Sequence, residues 1–155
     1  MPIEAPYPDL VEMMTLMGEA GRRLAEIEAS EGSAGNISVY MGWDIDPRRK
    51  FPMEETIELP SPEPELAGGS FLATGSGRRL REVAADPEAN LGFVVVDKGG
   101  KTAKLFTSPK RLFAKLTSEF NSHLAVHRDQ ILGFGTNFHA SELSMISASH
   151  SLGGA

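Results

Sequence analysis

The chain has 155 residues, 41% of them hydrophobic and 23% charged, which is ordinary globular composition at the commonest size of one domain. It contains no cysteine, so disulfides, thiolate nucleophiles and Cys-ligated zinc are excluded, and any transition-metal site must draw on His with Asp or Glu. A net charge of −6, with basic residues scattered in pairs such as Arg22-Arg23 and Arg78-Arg79, gives no broad cationic face and argues against nucleic acid as a partner. The opening MPIEAPYPDLVEMM has no basic segment followed by an apolar one. Nor is there any run of 18 apolar residues, so the expectation is a soluble, cytoplasmic protein with no membrane partner.

From Asp9 to about Ala29, apolar residues at Leu10, Met13, Met14, Met17, Leu24 and Ile27 form one stripe of a helix. Asp9 with Glu12 three residues later reads as an N-cap with its capping-box acid. The methionines suit a core or subunit-facing stripe better than a plastic binding surface. Asn36 to Met41 then alternates like a strand. Residues 42–70 hold five of the chain's ten prolines and many acids, which predicts an extended excursion and no helix. Pro60, Pro62 and Pro64 favour polyproline II and exclude a central strand. So long a loop within a compact domain is usually functional or interface-forming.

Phe71 to Thr74 reads as a short strand running into Gly75-Ser76-Gly77 and then a helical segment over Arg78 to Val83, closed by Asp86-Pro87. Leu91 to Asp97 and Thr102 to Thr107 are β-rich runs around Lys98-Gly99-Gly100, the pattern of a hairpin. Thr117 or Ser118 can cap a helix bearing Phe120, Leu124 and Ile131. This order argues for an α/β or α+β sandwich with a largely antiparallel sheet.

Four groups could carry chemistry. A strand, Gly75-Ser76-Gly77 and a helix start suit an oxyanion, through approachable N–H groups, the Ser76 hydroxyl and the positive helix end, although Gly-Ser-Gly also serves as a plain turn. Gly35-Asn36-Ile37-Ser38 can point polar side chains at a ligand or simply close a turn. In Thr117-Ser118-Glu119 the acid is either a dipole-matched capping residue or a general base beside the anion site. His123 and His127 share one helical face, the spacing of helical metal ligands, yet have no acid between them, and a surface or packing role is the better reading. His139 and His150 stand singly.

Taken together, Gly35-Asn36-Ile37-Ser38, Phe71 to Gly77, Asp86 to Gly92, and Thr117-Ser118-Glu119 with His123 resemble, in this order, the rhamnulose-1-phosphate aldolase branch of the class II aldolase/adducin family. The resemblance runs from residue 9 to about 140 and implies a three-layer α/β/α sandwich with a largely antiparallel central sheet. It implies one domain over residues 1–155, incomplete at its C-terminus, with 42–70 as an excursion within it. It further implies a cyclic tetramer, a phosphorylated sugar as substrate and a zinc ion. The family pattern assigns the substrate phosphate to Asn36, Ser76, Gly77 and Ser118, and proton transfer to Glu119.

The metal site departs from that pattern. Members carry a His-x-His pair and a third His much further on. Here the text is Asn137-Phe138-His139, with His139 at the second position and Asn137 at the first, and the chain ends soon after. The implied reaction is reversible cleavage of a ketose 1-phosphate to dihydroxyacetone phosphate and an aldehyde, impaired in a chain short of ligands. The alternative is a non-catalytic binding or oligomerisation module of the adducin kind.

Overall fold

The computed structural model describes residues 6–27, 36–117, 120–130 and 136–141, with residues 130 and 136–141 described by their backbone. In chain order it contains helix α1 (Leu10–Ile27), strands β1 (Asn36–Met41) and β2 (Met53–Glu58), a 3-10 turn (Pro64–Leu66) and strand β3 (Ser70–Thr74). Helices α2 (Leu80–Ala85) and α3 (Pro87–Asn90), strands β4 (Leu91–Val96) and β5 (Thr102–Thr107), helix α4 (Phe120–Gln130) and strand β6 (Thr136–Ser141) follow. The strands form one sheet in the order β2-β5-β4-β3-β1-β6. Each of its five pairings is antiparallel.

Helix α1 starts as its sequence dictates. The Asp9 N–H donates to Glu12 Oε1 at 3.1 Å and the Glu12 N–H donates to Asp9 Oδ1 at 2.9 Å, which satisfies two amides that the first turn leaves orphaned. Met13, Met14 and Met17 are buried against the sheet, so the methionine stripe is core.

Strand alternation sorts the core into two halves. Ile37, Val39 and Met41 of β1, Leu72 of β3, and Leu91 and Phe93 of β4 join α1 and α2 on one face. Phe71, Ala73, Val94, Val96 and Leu105 face the other way, where Phe120 and Leu124 of α4 cover them with Phe113 and Leu116. The fold is therefore mixed α/β, with helices packed on both faces of an antiparallel sheet.

The proline-rich excursion carries a strand that its composition hid. β2 pairs with β5 from Met53↔Thr107 to Glu58↔Thr102 and forms one edge of the sheet. It is mostly exposed, and Glu54, Glu55 and Glu58 put charge along that edge, a pattern that discourages pairing with another chain. Hydrophobic alternation is missing there because this strand has little core to face. Pro60 and Pro62 stay outside any strand, and Pro64 begins the 3-10 turn, where a missing N–H costs nothing. The turn docks where the Glu63 N–H donates to Gly100 O at 2.9 Å. The β4–β5 hairpin closes as expected, with the Asp97 N–H donating to Thr102 O at 2.9 Å and the Thr102 hydroxyl donating to Asp97 Oδ2 at 2.7 Å.

Strand β6 lies on β1 with Ser38↔His139 and Tyr40↔Asn137 as register partners. The Asn137–His139 text thus sits inside a strand. Ile131, expected on the face of α4, lies outside the described residues, as do Ser118 and Glu119. No helix among the described residues is long and apolar enough to cross a membrane.

Candidate functional site

Asn36 and the Gly75–Gly77 loop, two of the stretches singled out in the sequence, lie at one end of the sheet because of how β1 and β3 are registered. The β1–β3 register ends at Ser38↔Ala73, so Ile37 and Asn36 before Ser38, and Thr74 and Gly75 after Ala73, are the next residues at that end. The Ile37 N–H donates to Thr74 Oγ1 at 3.2 Å, and the Thr74 hydroxyl donates back to Ile37 O at 3.4 Å, so the pairing is closed by a side chain. The segment before α4 joins the same end. The Thr117 N–H donates to Thr74 O at 3.1 Å, and Gly75 bridges to Leu116. Asn36, the Gly75–Gly77 loop and Thr117 are therefore neighbours, although 81 positions separate the first from the last. Ser118 and Glu119 follow Thr117 directly in the chain.

The glycine loop differs in detail from the cradle expected of it. The Gly75 N–H donates to Asn90 O and the Ser76 N–H donates to Lys115 O, both at 2.9 Å. Those two amides serve the fold and are not available as donors to an anion. Gly75 is required by packing, since a Cβ there would lie 2.2 Å from Phe113 Cγ. Gly77 is required by its backbone, with φ at 76°, in the left-handed region that side chains disfavour. The helix start expected to face the anion is closed by its own acid, because the Arg79 N–H donates to Glu82 Oε1 at 3.2 Å.

The Asp86-to-Gly92 block is explained by structure. Asn90, almost wholly buried, donates through Nδ2 to Glu82 O at 3.1 Å and Asp86 O at 2.9 Å. Its Oδ1 accepts from Arg78 Nε at 2.6 Å, and Arg78 also donates to Glu82 Oε2 at 2.9 Å. Asn90 thereby clasps the turn after Gly77 to the start of β4. An arginine is held in this way beside Ser76 and Gly77, a feature that the paired basic residues in the sequence did not single out.

His123 and His127 are wholly buried and meet one hydroxyl. Ser38 Oγ is hydrogen-bonded to His123 Nδ1 at 2.6 Å and to His127 Nε2 at 2.7 Å. His123 Nε2 is in turn hydrogen-bonded to Asn36 Oδ1. The packing role expected of these histidines is found, but as part of a polar cluster. Ser38, read in the sequence as a ligand-facing or turn residue, is instead a buried strand hydroxyl whose partners are these two imidazoles.

Among the described residues no three His, Asp or Glu side chains gather as ligands. The two helical imidazoles are turned to Ser38 and Asn36. Asn137 and His139 lie in β6, which is described by its backbone. The described side chains by themselves therefore do not make a zinc site.

An open groove of about 1190 Å³ lies elsewhere, lined by residues that include Tyr7, Trp43, Asp44, Asp46 and Lys50. None of Asn36, Ser38, Ser76 or His123 borders it, and it does not bear on this chemistry.

No family model matches the chain. It is 34% identical over 113 residues to the rhamnulose-1-phosphate aldolase of Yersinia pestis (strain Pestoides F), a match covering 69% of this chain and 40% of that protein. The rhamnulose-1-phosphate aldolase of Yersinia pseudotuberculosis serotype O:1b (strain IP 31758) matches with the same identity and coverage. The aligned part thus amounts to 40% of the curated relatives' length. Among solved structures, a sugar-phosphate aldolase from Thermotoga maritima superposes with a TM-score of 0.63 and 26% identity. That superposition covers 86% of this chain and 55% of the other.

Proposed function

Because this chain belongs to the class II aldolase family, as a relative of the rhamnulose-1-phosphate aldolases, we propose that it is the phosphate-binding part of an aldehyde-lyase. The reaction is reversible retro-aldol cleavage of a ketose 1-phosphate, rhamnulose 1-phosphate-like, to dihydroxyacetone phosphate and an aldehyde. In this reading residues 1–155 form one α/β/α domain with 42–70 as an excursion, and the protein is cytoplasmic and assembles as a homotetramer. Asn36, Ser76, Gly77 and Ser118 take the phosphate, and Glu119 moves the proton. Zinc is the family's metal, to which His139 is this chain's contribution.

The observation that carries the reading is the convergence of Asn36, the Gly75–Gly77 loop and Thr117 at one end of the sheet, from three separated stretches of sequence. A carboxamide, a hydroxyl and a glycine N–H meeting there offer donors to a dianion, and a fixed phosphate holds the reacting carbons in register for a base. Ser118 and Glu119, next in the chain after Thr117, lie outside the described residues and keep their proposed roles from the family pattern alone. A second reading, a non-catalytic adducin-like binding or oligomerisation module, draws support from Asn137 at the first ligand position.

The experiment is thermal unfolding with and without inorganic phosphate. Phosphate raises the midpoint of the unaltered chain, and Asn36→Ala with Ser76→Ala abolishes that gain while the midpoint without phosphate still reports a cooperative fold. An unchanged gain in the double variant places the anion elsewhere and removes the reading.

A further inference from the structure

Thr74 lies where strand β3 exchanges one neighbour for another. As far as Ser38↔Ala73 the strand is laddered to β1. Beyond Ala73 its backbone turns to the segment before α4. Thr74 O accepts the Thr117 N–H at 3.1 Å, the Ser76 N–H donates to Lys115 O at 2.9 Å, and Gly75 bridges to Leu116 between them. The Asn36 end of β1 is joined to β3 by a side chain instead, since Thr74 Oγ1 meets both the N–H and the carbonyl of Ile37. We infer that Thr74 is a positioning residue for the anion site, its hydroxyl fixing the Asn36 end of β1 against the Gly75–Gly77 loop and the Thr117 segment. The inference rests on the reading of Asn36 and Ser76 as phosphate ligands.

One residue here touches all three stretches. Gly75 follows it in the chain, its carbonyl holds Thr117, and its hydroxyl holds Ile37, the residue next to Asn36. A hydroxyl has one hydrogen and two lone pairs, so it can accept from the N–H and donate to the carbonyl of one residue, as an opposed backbone pair would. Threonine also suits the place, because a β-branched side chain is at home on a strand and keeps its hydroxyl in few orientations.

The consequence follows from burial. Thr74 has no solvent exposure and Ile37 has 1%, so water does not replace a missing hydroxyl, and the Ile37 amide and carbonyl lose this partner where that is costly. Pairing with β6, in which Asn36 lies opposite Ser141, keeps this end of β1 in the sheet. What Thr74 sets is its distance from β3. A shift of about 1 Å takes a donor on Asn36 out of hydrogen-bond range of an anion held by the other two stretches.

The test uses the full chain, inorganic phosphate as probe, and titration calorimetry. Thr74→Val, which keeps the shape and removes the hydroxyl, is expected to weaken phosphate binding roughly tenfold, the size of one charge-assisted hydrogen bond. Thr74→Ser, which keeps the hydroxyl, should restore it. Val96→Ala, buried in β4 toward the other end of the sheet, should lower the thermal midpoint and leave phosphate affinity unchanged. An equal loss of affinity in Val96→Ala, or no recovery in Thr74→Ser, overturns the inference. An Asn36→Ala chain that binds phosphate like the unaltered one removes the reading of Asn36, and this inference with it. Weakened binding in Asn36→Ala beside unchanged binding in a folded Thr74→Val overturns the inference alone. If Thr74→Val does not fold, hydrogen exchange of the unaltered chain decides. Phosphate should slow the Ile37 and Thr117 amides more than that of Val96, and an Ile37 amide that does not respond contradicts the coupling.

Discussion

Glu63 and Arg128 form an ion pair, with Arg128 Nη1 donating to Glu63 Oε1 at 2.7 Å. It ties the proline-rich stretch to the helix that carries His123 and His127. The carboxylate is almost entirely buried while the guanidinium is partly exposed, and the negative charge of Glu63 holds the Arg128 pKa above its usual value. Removing the arginine strands a buried carboxylate, whereas removing both charges does not. Arg128→Met should therefore lower the thermal midpoint more than the double variant Glu63→Gln, Arg128→Met. Equal midpoints would mean that the pair is only a surface contact.

Gly75 has Phe113 where a side chain would stand, so Gly75→Ala must push the ring or the strand aside. A loss of about 1–3 kcal/mol is expected, as for an overpacked core, measurable by urea unfolding. Phe113→Leu in the same chain should recover part of it, because a smaller side chain leaves room for the added methyl. A Gly75→Ala chain as stable as the parent would show that Phe113 is loosely held.

Tyr40 packs against Phe71 and His127, and burial pushes its phenol pKa above 10. An acid whose folded pKa is raised keeps its proton longer in the native state, so the unfolded chain ionises first. The stability it contributes is complete below the unfolded value near 10 and falls as pH rises through the folded pKa. The chain has two tyrosines, so Tyr7→Phe leaves Tyr40 as the sole phenol for ultraviolet titration. An ionisation midpoint at or below the ordinary value would contradict the packing of this ring.

On the proposed reading in which Asn137 occupies the family's first-ligand position, zinc should support little release of dihydroxyacetone phosphate from rhamnulose 1-phosphate. Asn137→His should tighten zinc binding by roughly tenfold or more, since imidazole is much the better zinc ligand. Brisk turnover by the unaltered chain, abolished by a chelator, would show that other side chains complete the site.

Local patterns were enough to read much of this protein. Capping at Asp9 and Glu12, the methionine stripe, the alternation from Asn36 to Met41 and the hairpin at Lys98-Gly99-Gly100 each depend on neighbours a few residues apart, and each was legible from sequence. Four ordered blocks resemble the class II aldolase family, and 34% identity to a rhamnulose-1-phosphate aldolase over 113 residues agrees with them. Strand β2 was not legible, because an exposed edge strand carries no hydrophobic period and is defined by its partner β5, some 50 residues away.

The site shows the same division more sharply. Asn36, Ser76 and Gly77 could be nominated from their residue types, but only the β1–β3 register brings them to one end of the sheet. Which loop amides remain for a ligand was decided by Asn90 and Lys115, whose carbonyls take the Gly75 and Ser76 N–H groups. The i,i+4 histidines looked like a packing pair or ligands. Tertiary packing turned them onto Ser38, 85 and 89 residues away, because a buried hydroxyl and two buried imidazoles must satisfy one another where water is excluded.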